Sequence, residues 1–190
     1  PSTDRSARRS CRDSAPWPLL GGSTPAATAR AAALLRHVND RVVELSSPDA
    51  AEMAKLLENT FRNVNIAFVN QLALLCERMG LDVWEIIDAA ATKPFGFMRF
   101  TPGPVVGGHC IPVDPYYLSW RARAFDVTDR FIEAAGDINF AMPRHVVDLA
   151  AEALNERSKA LKGSRVGVIG VAFKSDVQDP RNSPAGAVLA

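Results

Sequence analysis

The apolar positions of the chain mark out several elements. An alanine-rich run from Thr24 to Asn39 has the spacing of a short helix, and Arg41 to Leu45 reads as a brief strand, together the end of an αβ unit. Ser47-Pro48-Asp49 then offers a hydroxyl cap, a proline for the first turn and an early acid, the start signal of a helix. Nothing breaks the pattern before Gly80, so a helix about 48 Å long is expected at about 1.5 Å per residue. Its apolar residues, among them Met53, Leu57, Phe61, Val64, Phe68, Val69 and Leu75, cover more than one face. Such a helix makes contacts on two sides, and a subunit interface is a natural use for the second.

Further helices are expected from Leu81 to Ala91, from Tyr116 to Phe125 and from Asp129 to Leu161, the last open to interruption at Pro143. Between them, Pro94 to Asp114 is a loop rich in glycine and proline. At Lys162-Gly163-Ser164 the pattern changes. Arg165 to Phe173 is an apolar β run entering a glycine turn, and Ser183-Pro184-Ala185 opens a helix, as at the start of a Rossmann-like unit. Residues 1–14, rich in arginine and serine, read as a solvated tail, with a basic patch for a partner as the alternative. The expected architecture is therefore a mostly α central domain (47–161) with a long dimerisation helix. The end of an N-terminal α/β domain (15–46) and the start of a C-terminal Rossmann-like α/β domain (162–190) flank it.

Composition narrows the functional classes. The 190 residues are 47% hydrophobic and 23% charged, enough for a buried core. Lys+Arg 22 against Asp+Glu 21 leaves a net charge of +1, so no global field argues for nucleic acid or an anionic membrane. Cys11, Cys76 and Cys110 are too few and too scattered for a disulfide framework, and with His37, His109 and His145 they show no metal-ligand spacing; no metal is expected. No run has the roughly 18 apolar residues of a membrane span, which leads us to expect a soluble protein of a reducing cytoplasm.

The stretch Pro102-Gly103-Pro104-Val105-Val106-Gly107-Gly108-His109-Cys110-Ile111-Pro112-Val113-Asp114-Pro115 is the richest in chemistry. Two glycines allow close backbone approach or positive φ, and the flanking prolines stiffen the loop around a thiol that, as thiolate, attacks carbonyl carbon. The competing reading is a small buried hydrophobe. Asp114 reads either as a turn residue or as a group that orients water or a base, and His109 as a positioning residue. On the long helix Lys55, Asn59 and Asn63 form a polar stripe at four-residue spacing. This stripe is either an exposed face or, for Lys55 and Asn59, a pair that stabilises negative charge on a reacting oxygen. Gly167-Val168-Ile169-Gly170-Val171-Ala172 lacks the full G-x-G-x-x-G of a dinucleotide loop. Beyond it Lys174, Asp176, Asp179 and Arg181 crowd a loop before a helix start, either simply solvated or placed to meet phosphate oxygens.

Taken together these motifs resemble the nucleotide-sugar dehydrogenase family, enzymes that oxidise the C6 hydroxymethyl of a UDP- or GDP-sugar to a carboxylate with NAD. The resemblance runs from about Trp17 to the C-terminus. It is most specific in Ser47 to Thr60, in Lys93-Pro94-Phe95-Gly96-Phe97-Met98, in Gly107 to Pro115, and in Phe173-Lys174 with Asp179-Pro180-Arg181-Asn182-Ser183-Pro184. The Lys93-Pro94-Phe95-Gly96-Phe97 and Gly-Gly-His-Cys-Ile-Pro variants resemble enzymes acting on UDP-N-acetyl-hexosamines, makers of surface polysaccharide precursors, more than those acting on UDP-glucose. The resemblance implies that Cys110 adds to an aldehyde formed by a first hydride transfer, and that a second transfer leaves a thioester which water hydrolyses. It implies that Lys55 and Asn59 stabilise the oxyanion and that Asp114 helps activate water. Thr101, Pro102, Gly103, Pro104, Val105, Val106 and Gly107 would cover the sugar nucleotide, Phe173 and Lys174 would touch it, and Arg181 together with Cys110 would meet NAD. A homodimer would form through the helix 48–79.

The sequence also departs from the family. No G-x-G-x-x-G precedes Val42, and the glutamate that family members draw from that domain is absent, so the chain reads as a truncated piece of such an enzyme. Val105 stands where glycine is usual, and its β-branch opposes a positive φ there. Arg99 replaces a commonly apolar or proline position. Two other readings stay open: a non-catalytic helical dimerisation module, and a helical domain of the hydroxy-acid dehydrogenase kind, which uses no cysteine nucleophile.

Overall fold

In the computed structural model the described residues are 17–173, 176 and 178–189. The expected tail 1–14 and Lys174 lie outside them. The chain divides after Glu58 into two compact units.

In the first unit, β1 (Leu19–Leu20) pairs in parallel with β2 (Val43–Glu44), Leu19 opposite Val43. Between them runs α1 (Pro25–Leu35), whose Thr24 hydroxyl accepts a hydrogen bond from the Ala27 N–H. β1 is too short for any alternation to be visible in sequence. α1 stops at Leu35 instead of Asn39 because the chain tightens there: His37 and Val38 N–H bond Leu34 and Leu35 carbonyls three residues back. The expected strand Arg41 to Leu45 shrinks to the two residues that have a partner. Ser47 caps the long helix α2 (Pro48–Met79), its hydroxyl accepting from Ala50 N–H at 3.1 Å.

In the second unit α2 ends where Gly80 takes φ 68, with Gly80 N–H on the Glu77 carbonyl and Leu81 N–H on that of Cys76. Then follow α3 (Val83–Ala91), capped by the Asp82 carboxylate, α4 (Asp114–Ala122) with a closing 3-10 turn (Arg123–Phe125), α5 (Arg130–Asn155) and α6 (Pro184–Leu189). α5 runs through the buried Pro143 without interruption, although an interior proline removes one backbone N–H and crowds the carbonyl four residues earlier. It ends six residues before Leu161, where Ser158 adopts φ 56 and Lys159 N–H turns back to the Leu154 carbonyl. Ala67, Val69, Cys76, Ile87, Ile132, Ala135 and Met142 form the apolar core, with Asn59, Asn63, Asn70 and Asn139 buried among them.

The β run expected over Arg165 to Phe173 is not a strand. Its backbone is unpaired among the described residues and Ile169 is 100% exposed. An apolar run becomes a strand only where a neighbour completes the ladder.

Candidate active site

Cys110 sits at the mouth of α4. Its carbonyl accepts N–H bonds from Val113 at 3.1 Å and Asp114 at 2.8 Å, so Cys110 and Asp114 occupy successive turns of one tight bend. The thiol is exposed, which removes the buried-hydrophobe reading, while Cys76 is the buried one. Gly108, with φ 95, makes the turn that presents it. Gly107 is required for close approach: a Cβ there would lie 2.6 Å from Phe173 Cβ and 3.0 Å from Pro184 Cδ. The glycines thus let the loop lie against Phe173, whose ring also meets His109 edge-on at 6.1 Å. Gly108 N–H closes the contact on the Asn182 carbonyl at 3.3 Å. Val105 is not among the described residues with positive φ, so its β-branch meets no strain of that kind.

The polar stripe of α2 splits. Asn59 is fully buried and donates from Nδ2 to Asp114 Oδ2 at 2.6 Å, joining residues 55 apart in sequence. Asn63 is also buried, facing Asn139. The exposed-face reading therefore fails for both. Lys55, in the first unit, is exposed and pairs with Glu58 at 3.2 Å. Asp114 is the first residue of α4.

Of the loop residues, Val106 is buried, Pro102, Gly103, Pro104, Val105 and Gly107 are half-buried, and Thr101 is exposed. Arg181 is exposed and clamps Asp179 with Nε and Nη2, both at 2.8 Å, which holds the Asp179 carboxyl well below the usual carboxylate range. Arg99 donates from Nε and Nη2 to one oxygen of Asp88 on α3, pinning the start of the loop; the pairing accounts for an arginine at this position. Three residues escaped the sequence reading. Arg62 donates from Nη2 to Asn59 Oδ1, a partner legible only as the i, i+3 neighbour of Asn59. Asn70 and Asn139, discussed below, left no sequence signal. Among the described residues no group of His, Cys, Asp and Glu is placed to hold a metal ion.

Residues 49–141 match the central domain of the UDP-glucose/GDP-mannose dehydrogenase family. This chain belongs to that family. The UDP-N-acetyl-D-mannosamine dehydrogenase of Yersinia pestis is 39% identical over 174 residues, a match covering 90% of this chain and 40% of the relative. The UDP-N-acetyl-D-glucosamine 6-dehydrogenase of Pseudomonas aeruginosa is 40% identical over 166 residues, covering 87% of this chain and 39% of that protein. The structure of the UDP-D-ManNAc dehydrogenase of Pyrococcus horikoshii superposes with a TM-score of 0.82 at 38% identity, over 90% of this chain and 40% of that one. The chain thus spans about two fifths of the length of the relatives it matches. The predominantly helical fold and the family resemblance stand as expected.

Proposed function

We propose that the protein oxidises the C6 hydroxymethyl of a UDP-N-acetyl-hexosamine to the carboxylate, with NAD as hydride acceptor and Cys110 as nucleophile, in the cytoplasm. The observation that carries this reading is the Asn59–Asp114 hydrogen bond beside the exposed Cys110: it joins two residues of the family pattern that are 55 apart in sequence, the second of them four residues from the cysteine. Asn59 Oδ1 is held by Arg62, and one Nδ2 hydrogen is committed to Asp114, so the amide is fixed with its second N–H left for a substrate oxygen. When the thiolate adds to the aldehyde carbon, a C–S bond forms and the carbonyl oxygen takes the negative charge; Asn59 and Lys55 stabilise that charge. After hydride loss gives the thioester, Asp114 takes a proton from the attacking water and the thiolate leaves, restoring Cys110. Residues 101–107 with Phe173 and Lys174 enclose the sugar nucleotide.

Bound NAD would supply the hydride acceptor for both oxidations. Arg181 fits as a contact to its phosphates: the side chain is exposed at 77%, and Asp179 takes only part of a guanidinium that has five N–H donors. The chain read as a central helical domain (47–161) also explains the apolar residues left exposed on α2. Leu57, Phe61, Phe68, Leu75 and Met79 are 46–64% exposed, with Phe61, Phe68 and Leu75 at seven-residue intervals. Such a seam suits a homodimer formed through the helix 48–79.

The test is formation of NADH and uronate from UDP-N-acetylglucosamine, measured on the chain and on a chimaera in which residues 17–189 replace the matching stretch of the Pseudomonas relative. Product that disappears in Cys110→Ala supports the reading. Uronate formed at an undiminished rate by Cys110→Ala rules out the thioester mechanism.

A further inference from the structure

We propose that Asn70 and Asn139 are positioning residues for the loop 101–107, holding it by the Gly103 N–H, the one backbone donor within residues 102–104; the role rests on that loop covering the nucleotide sugar. Asn139 Nδ2 donates to Asn63 Oδ1 at 2.9 Å and to the Asn63 carbonyl at 3.2 Å. Asn70 Nδ2 donates to Asn139 Oδ1 at 2.9 Å, and Asn70 Oδ1 accepts from the Gly103 N–H at 2.9 Å. Exposure is 0% at Asn70, 3% at Asn63 and 4% at Asn139, so water does not compete.

The direction of this relay is determined by its end. Gly103 brings a donor, so Asn70 must present oxygen to it and nitrogen to Asn139, and Asn139 must then present nitrogen to Asn63. Turning any one amide over would set donor against donor or oxygen against oxygen in the core. Pro102 and Pro104 have no N–H, so within residues 102–104 Gly103 carries the sole backbone donor, and Asn70 takes it. The far end of the same loop is tied by Gly108 N–H on the Asn182 carbonyl. Asn63 and Asn70 are two turns apart on α2 and Asn139 lies on α5, so the relay also sets the register of the two helices beneath the loop. Apolar residues would fill this volume more simply; a buried polar relay that ends on a ligand-covering loop specifies where that loop sits.

The relay is tested on the chain labelled with 15N-glycine. Amide hydrogen exchange of Gly103, assigned by its loss in Gly103→Ala, is compared with Gly96 and Gly163, both exposed. We expect Gly103 to exchange at least about tenfold more slowly than these once intrinsic rates are divided out, as a closed hydrogen bond requires. Asn70→Leu brings it to the exposed rate while Gly136, buried in α5, stays protected, and Asn70→Asp, which keeps an acceptor oxygen, restores part of the protection. Affinity for UDP-N-acetylglucosamine, by calorimetry, falls by up to about tenfold in Asn70→Leu, the value of one neutral hydrogen bond. Gly103 exchange as fast as that of Gly96 in the unaltered chain, or unchanged protection in a folded Asn70→Leu, overturns the proposal. Should Asn70→Leu lose its helical circular dichroism, Gly103→Pro decides, since it deletes the donor and leaves the core intact; unchanged affinity there overturns it equally. If neither protein binds the nucleotide sugar while Gly103 protection still follows Asn70, the tether stands and it is the dehydrogenase reading that fails.

Discussion

Two irregular, glycine-containing stretches of the second unit have opposite fates. Residues 99–113 contain no helix or strand, yet they are held along their length: Arg99 on Asp88, Phe100 edge-on to Phe61 at 5.9 Å, Gly103 on Asn70, Gly108 on Asn182 and the Cys110 carbonyl on Asp114. Residues 165–172 have the more apolar sequence but lie open, with Val166 57%, Ile169 100% and Val171 54% exposed. Order in irregular backbone follows from partners for its polar groups, and hydrophobicity without a facing surface does not supply them. A site that must hold a thiol still belongs in the first kind of segment.

The largest expected effect is at the tied end. Asn59→Ala removes both the proposed oxyanion donor and the partner of Asp114, and under the proposed function turnover of the chimaera should fall about 10²- to 10³-fold. Lys55→Ala should cost about the same in kcat, and steady-state kinetics on either variant check it. A loss confined to KM would show that these groups bind the substrate equally in ground and transition states.

One substitution made in both segments sharpens the contrast. Gly107→Ala drives a methyl to 2.6 Å from Phe173 Cβ, and overpacking of this kind costs about 1–3 kcal/mol by urea unfolding. Gly167→Ala meets nothing within 4 Å, and its effect should stay within about 0.5 kcal/mol. Equal costs at the two sites would erase the distinction between a packed and an open stretch.

The smallest effect concerns α4. The Tyr116 hydroxyl lies so close over Gly136 that a Cβ there would be 2.0 Å from it, and the ring stacks on Phe140. Desolvation by burial, with Asp137 adding to it, raises the Tyr116 pKa above its ordinary value of 10.0. The folded chain therefore holds this proton more tightly than the unfolded one. The contribution is complete below pH 10.0 and is lost as pH rises through the folded-state value. Spectrophotometric titration of Tyr117→Phe, which leaves Tyr116 as the remaining tyrosine of two, should show a midpoint above that of free tyrosine. A midpoint at or below 10.0 would mean that α4 does not seat Tyr116 as described.

The sequence by itself determined the elements whose signals are local. The cap at Ser47, the stop at Gly80 and the stiff glycine–proline setting of Cys110 lie within one helical turn of the features they govern, and α2 spans the expected residues. The tertiary structure decided what depends on long-range partners. Asn59 with Asp114, Asn70 with Asn139 and Gly107 with Phe173 are pairs 55, 69 and 66 residues apart, and spacing along a chain carries no information on such meetings. The same reason divides the polar stripe of α2 into an exposed Lys55 and buried Asn59 and Asn63, and leaves residues 165–172 unpaired: burial and pairing are properties of the opposing surface, which the local sequence does not encode.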